Sequence, residues 1–405
     1  MAGLLTVSIG AGTICETWKD SLDQNLGTIS SIIQTSDKSG DDTYTYTSDY
    51  SSAGELVEAL EEFNEQVQEE GSVLLKNNGA LPLESGTSVT LFGTTSHYPY
   101  YGAQMGGTSN EDDAISLEQA LEEEGFLVNP VMTELYEALG SIATGTTTNW
   151  LGQEEDVYGY QPGTLAQTFI GPVEGTYSVG EPPLSAYEEA DPDYAESFAE
   201  YGDAAIVVVG RSGSEGADYI PGEEGLSEGE SGTTALALNE EERAMIALAC
   251  ENFEKVIVLI NAVNQLEIEE LEENDDIDAI LWIGYPGSYG FTGVADILSG
   301  ETSPSGHLSV TYAVNSTSSP AMMNYGNIYY TNGTDDSDSM YVVEAEGIYI
   351  GYRYYETRYS DLITGDGNGD VSLPSGLGGH LADHIHGYYH YRGNGAVYGH
   401  GLLCH

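Results

Sequence analysis

Six consecutive apolar residues, Ala204 to Val209, run straight into Gly210 and then into a crowd of polar groups: Arg211, Ser212, Ser214, Glu215 and Asp218. The run is rich in β-branched residues and lacks the in–out alternation of a half-exposed strand. It therefore predicts a strand covered on both faces, as in a parallel sheet. Parallel neighbours need crossover connections, and a sheet covered twice needs helices on both sides. In open α/β sheets ligands bind just beyond the carboxyl ends of the strands, so the loop after Val209 is placed for chemistry. Gly213 and Gly216 flank Glu215 and let the backbone bring one carboxylate close to a ligand. The same residues also suit an acidic surface loop, and this stretch alone does not separate the two.

The rest of the chain repeats the β–α rhythm. Ser88–Phe92, Lys255–Asn261 and Ala279–Ile283 read as further strands, with Val73–Leu75 and Phe126–Asn129 beside them and a turn at Asn78-Gly79. A helix is expected over 53–69, where Leu56, Leu60, Phe63 and Val67 recur on one apolar face. A second is expected over 115–124. A third opens at Asn239 with Glu242 three residues on, a capping box. A fourth comes after Tyr285–Gly290 and ends near Gly300. Residues 140–200 are expected to be an irregular insertion with one or two small helices. The fold class is α/β, a three-layer sandwich with a mostly parallel sheet and irregular terminal segments. The expected divisions are 1–52, an apolar remnant and flexible lead; 53–360, the sandwich; and 361–405, a Gly/His-rich tail.

Charge narrows the partners. Asp and Glu number 67 against 9 Lys plus Arg, a formal net charge of −58. Such a field repels phosphate backbones and anionic lipid, which argues against nucleic-acid binding and against membrane binding through a basic patch. It favours neutral substrates. The 30 tyrosines suit sugar or peptide surfaces and half-buried packing alike. Cys15, Cys250 and Cys404 lie far apart without metal or disulfide spacing. The run Leu4–Cys15 is too short to span a bilayer and is compatible with the remnant of a signal or anchor; the compartment stays open between cytoplasm and cell surface.

Five segments, in order, resemble one family: Glu70–Leu83 (EGSVLLKNNGALPL), Val207–Asp218 (VVVGRSGSEGAD), Asp278–Gly290 (DAILWIGYPGSYG), Ala295–Thr311 (ADILSGETSPSGHLSVT) and Glu346–Thr357 (EGIYIGYRYYET). Together they are similar to the α/β-sandwich domain of glycoside hydrolase family 3, the β-glucosidase family. The resemblance implies a retaining glycosidase acting on β-linked glucosides or oligosaccharides without a cofactor. It implies that Glu215, in Ser214-Glu215-Gly216, is the catalytic acid/base. The nucleophilic aspartate would come from a separate barrel domain, which no segment of this chain matches. With little ahead of residue 53, the order resembles inverted members, and the barrel is expected after residue 405. Tyr398–Leu402 only faintly echoes the family's ending, and six of eight histidines fall between His380 and His405, as in a truncated or frame-shifted gene end.

Further candidates carry alternatives. Arg211, Asp218, His97 and Tyr98 are candidate substrate-binding residues. Arg211 equally suits a structural salt bridge, Asp218 a loop-ordering acceptor, and His97 with Tyr98, Tyr100 and Tyr101 a packed domain interface. Glu223, Glu224, Glu228 and Glu230 read as a solvated charge run, and Lys76 as structural. Asp366–Asp370 resembles the start of a calcium loop but has Leu377 where the twelfth-position Glu belongs. His380, Asp383, His384, His386 and His390 have metal-like spacing inside a compositionally foreign tail. No metal is assigned to either. A non-catalytic carbohydrate-binding or partner-completing domain, or an inactive fragment, is the alternative to an enzyme.

Overall fold

The computed structural model describes residues 48–103, 114–148, 154–162, 167–168, 171–172, 179–213, 236–313, 321, 324, 328–329 and 340–364. From its second residue onward, the first helix and all later elements belong to a unit that begins at Gly54. Helix α1 (Ala53–Gly71) leads into strand β1 (Val73–Asn77), then β2 (Ser88–Phe92), a one-turn helix α2 (Thr94–His97), α3 (Leu117–Glu123), β3 (Leu127–Val128) and α4 (Pro130–Gly140). Two small hairpins come next, β4–β5 (Ala143–Thr148, Glu154–Tyr158) and β6–β7 (Gln167–Thr168, Gly171–Pro172), then α5 (Leu184–Ala190) and a 3-10 turn at Tyr194–Ala199. The β–α rhythm resumes with β8 (Ala204–Gly210), α6 (Glu240–Asn252), β9 (Val256–Asn261), α7 (Glu269–Glu272), β10 (Ala279–Trp282) and α8 (Gly290–Ser299). A ladder of β11 (Ile328–Tyr329) and β12 (Met340–Tyr341) precedes α9 (Tyr352–Thr364).

The main sheet has the order β1-β10-β9-β8-β2-β3. Pairs β10–β9, β9–β8, β8–β2 and β2–β3 are parallel, and only β1, at the edge, runs antiparallel to β10. The four strands read as neighbours from their apolar runs are therefore neighbours, and parallel. Every residue of β8 is buried, as the unbroken run required. Alternate residues feed two cores. Ala205, Val207 and Val209 join Met132, Leu135 and Tyr136 of α4 and Met245, Ile246 and Ala249 of α6. Ala204, Ile206 and Val208 join Leu117 and Leu121 of α3 and Phe291, Val294 and Leu298 of α8. This is the three-layer α/β sandwich. Among the described residues no helix is long and apolar enough to cross a membrane.

Local signals explain most helix ends. The Asn239 side chain accepts from the Glu242 N–H at 2.7 Å, and Glu242 accepts from the Asn239 N–H at 2.9 Å, closing the capping box of α6. Gly300 stops α8 in the left-handed region at φ 82°. Helix α4 was not expected, although Asn129 caps it and Pro130 occupies its first turn, both helix-start signals. Lys76 is structural: its ammonium donates to the carbonyls of Glu272 and Asn274, both at 2.8 Å, at the end of α7.

Helix α1 forms over the residues where the periodicity placed it. The helix exists, but its apolar face does not point inward: Leu56, Leu60, Phe63 and Val67 are exposed, and the one fully buried side chain is Gln68. Polar contacts hold the helix instead. Asn64 Nδ2 donates to the Pro286 carbonyl at 2.9 Å and Asn64 Oδ1 accepts from the Tyr289 N–H at 3.1 Å. Gln68 Nε2 donates to the Ile283 carbonyl at 3.0 Å.

Candidate active site

The carboxyl ends of β2, β8, β9 and β10 open on one edge of the sheet, where a parallel α/β fold places ligands. Two glycines let them come together. Gly93, just past β2, has φ 97°, and a Cβ there would stand 2.2 Å from the Val208 carbonyl oxygen. Gly210, the last residue of β8, has no room for a side chain, since a Cβ would stand 2.4 Å from the Thr95 methyl. The Thr95 hydroxyl donates to the Val208 carbonyl at 3.0 Å, fixing α2 across the end of β8.

Amide side chains then stitch the strand exits. Asn261, the last residue of β9, accepts from the Tyr100 N–H at 2.8 Å and donates to the Gly284 carbonyl at 2.7 Å, joining the exits of β2 and β10. Asn264 donates to the Ser212 carbonyl at 2.6 Å, and the Tyr285 hydroxyl donates to the Arg211 carbonyl at 2.9 Å. Sequence reasoning missed Asn261 and Asn264. The signal for Asn261 was there: a polar residue closing the otherwise apolar run Val256–Ile260.

Arg211 is fully buried. Its guanidinium forms a bidentate pair with Glu242 at 2.6 and 2.8 Å. It also donates to the carbonyls of Gly210 at 2.7 Å and Ala237 at 2.6 Å. Of the two roles open in the sequence, the geometry supports the salt bridge. One guanidinium thereby ties the end of β8 to Ala237 and Glu242 at the start of α6. Planar bidentate pairing suits arginine and not lysine here. Glu215, Asp218 and the Glu223–Glu230 run fall between Arg211 and Ala237 in the sequence and lie outside the described residues, as do the Asp366 and His380–His390 motifs.

His97 and Tyr98 turn toward α4. The His97 ring stacks on Tyr136 with centroids 4.7 Å apart, and its Nε2 is buried with no hydrogen-bond partner among the described residues. Burial pushes its pKa down to about 3, so the imidazole is neutral near pH 7. Tyr98 is half-buried with its ring against Gly140, where a Cβ would stand 2.3 Å from the hydroxyl. Both side chains thus pack on α4 within the sandwich, beside β2.

Beside them is a buried acid that the sequence did not flag. Glu181 accepts from the Thr94 N–H at 2.7 Å, from the Tyr187 hydroxyl at 2.6 Å and from the Tyr136 hydroxyl at 3.1 Å. The Tyr136 and Tyr187 hydroxyls also touch one another. Burial outweighs these donors and lifts its pKa to about 7. Elsewhere Asp296 forms one carboxylate group with Glu65 and Glu69, and another with Glu124 and Glu301. Burial first, then the Glu65 charge, raises the Asp296 pKa to about 7.

Residues 72–352 match the glycosyl hydrolase family 3 C-terminal domain. A β-glucosidase from Ruminococcus albus is 29% identical over 300 residues, 74% of this chain and 26% of its own length. β-Glucosidase A from Butyrivibrio fibrisolvens is 29% identical over 303 residues, 71% of this chain and 31% of its length. The structure of β-glucosidase 3B from Thermotoga neapolitana in complex with glucose superimposes with a TM-score of 0.54 at 25% identity. That superposition covers 75% of this chain and 37% of the other. The chain thus spans about a quarter to a third of the length of these two curated relatives. With a parallel sheet whose strand exits converge on one edge, and a domain match across most of its length, the chain belongs to glycoside hydrolase family 3.

Proposed function

We propose that this chain is the acid/base-bearing half of a retaining β-glucosidase, with Glu215 as proton donor. The match of residues 72–352 to the family 3 C-terminal domain carries this reading, because it spans the loop after β8 together with the four strand exits. The names of the relatives support β-glucosides as the substrate class. The clamp of Arg211 on Glu242 and Ala237 supports a loop held firmly at its base, as a positioned acid requires.

In the first step a nucleophilic carboxylate from a barrel domain outside this chain bonds to the anomeric carbon. The glycosidic bond breaks, and the Glu215 proton goes to the leaving oxygen. In the second step Glu215 takes a proton from water, and the water oxygen bonds to the anomeric carbon. The bond from that carbon to the nucleophilic carboxylate breaks, which releases the sugar and restores the carboxylate and the protonated Glu215. Asp218 is proposed to order this loop near the sugar. His97 and Tyr98 would act at most by shaping its border, since both pack on α4.

The test is a fusion of the full chain to a family 3 barrel. Glu215→Gln should slow substrates with poor leaving groups by about 10²–10⁴-fold and activated aryl glucosides far less, since these depart without protonation. Equal losses on both substrate types, or none, would move the role elsewhere, first to Glu223–Glu230.

A further inference from the structure

A helix that packs on its own domain ordinarily turns its apolar stripe inward. Helix α1 does the reverse. Leu56, Val57, Leu60, Phe63 and Val67 are 41–61% exposed, while Asn64 and Gln68 make the contacts to the 283–290 loop. Single exposed apolar residues need no explanation, but four at spacings of four, three and four residues form a ridge about 16 Å long. Hydrogen bonds on the helix's other side keep the ridge facing out.

We propose that this ridge is the docking surface for the part of a family 3 enzyme that the chain does not span, and that the partner meets it with an apolar groove bordered by Lys and Arg. Three observations select this occupant. The chain covers 26% of the Ruminococcus albus β-glucosidase and 37% of the Thermotoga neapolitana one, so each of these two carries a large further portion. Helix α1 ends at Gly71, one residue before the family-model match begins at residue 72, so the ridge borders that match. The helix carries seven glutamates and no Lys or Arg, which complements a basic rim. A second copy of this chain would bring the same glutamates and another −58 charge, and repulsion opposes it. The 283–290 loop that grips α1 also supplies Tyr285, whose hydroxyl holds the Arg211 carbonyl. A partner seated on α1 thereby presses on the loop that anchors the proposed acid/base.

This inference rests on the proposed half-enzyme, and its test is separable from catalysis. Full-length chain would be co-expressed with the non-matching portion of the Ruminococcus albus β-glucosidase, and binding measured by titration of the purified partners. Wild type should bind, more weakly at high salt. Leu60→Glu with Phe63→Glu should weaken binding about tenfold or more at an unchanged melting temperature. Should that pair disturb folding, Leu56→Ser with Val67→Ser serves the same purpose at lower risk. Glu215→Gln should bind as wild type does, so failure of the catalytic role leaves the docking result intact. Absence of binding, or unchanged binding by both ridge variants, would overturn the proposal. So would a dimer of the chain alone that the ridge variants dissolve, which would assign the ridge to a second copy. Amide protection of residues 56–67 that vanishes on deleting residues 1–47 would likewise assign it to the chain itself.

Discussion

Glu242 and Glu181 are acids buried to nearly the same degree, 1% and 7% exposed, in opposite electrostatic settings. Glu242 meets the Arg211 guanidinium face to face and accepts a backbone N–H at the start of α6, where its own N–H is capped by Asn239. Glu181 meets three neutral donors and, among the described residues, no cation, and its pKa rises to about 7. Burial disfavours a carboxylate wherever it occurs, and the local partner sets its charge. A guanidinium turns the buried acid into a clamp, whereas neutral hydroxyls leave it titrating near neutrality. The clamp serves the proposed catalytic loop; the titrating acid sits under α2 and holds the exit of β2.

The largest expected effect tests the clamp. Arg211→Met leaves Glu242 buried without its cation and should cost about 3–5 kcal/mol in urea unfolding, the usual scale for breaking one side of a buried pair. A cost below about 1 kcal/mol would show that water or another group takes over, and the contrast would collapse. Arg211→Lys should fall between, because an ammonium cannot reproduce the fork.

Next comes the pH dependence of Glu181. Its folded-state pKa, about 7, lies above the ordinary 4.5, so the protein holds a proton that the unfolded chain releases. Stability from this group is fully present below pH 4.5 and is lost as pH rises to about 7. Wild type should therefore lose up to a few kcal/mol across that window relative to Glu181→Gln, which cannot titrate. Melting curves of both proteins from about pH 4.5 to 8 measure the difference, and Asp296 contributes its own slope equally to both. Parallel curves would mean that Glu181 is ionised throughout and that its three donors suffice without a cation. The smallest effect sharpens the Glu242 side: Asn239→Ala removes the cap but keeps the ion pair, and should cost about 1 kcal/mol. A loss as large as that of Arg211→Met would make the capping box, not the guanidinium, the seat of the clamp.

Much of the fold was legible in the residues. The run Ala204–Val209 announced a strand buried on both faces, and β2, β9 and β10 were readable from similar runs with helices between. The Asn239–Glu242 box and Gly300 marked helix ends because capping is settled within one turn of chain. Arg211 and Glu215 stood out as polar residues at a strand exit. Glu181 did not, because Tyr136 and Tyr187 are 45 and 6 residues away from it and only the packing of α4 and α5 assembles their hydroxyls around it. The ridge on α1 was legible as an apolar stripe, but its direction was not.

The amino-acid sequence by itself determined the three-layer α/β class, the burial of β8 and the placing of a polar loop at the carboxyl edge, since periodicity and capping act over a few residues. Tertiary structure alone decided which charge meets which. Arg211 finds Glu242 31 residues on, and Asn64 finds Pro286 222 residues on, because strand order brings their elements together. It also decided that α1 turns its amides inward and its apolar side out. A periodic stripe defines a face, and only the surface it is laid against defines which way that face looks.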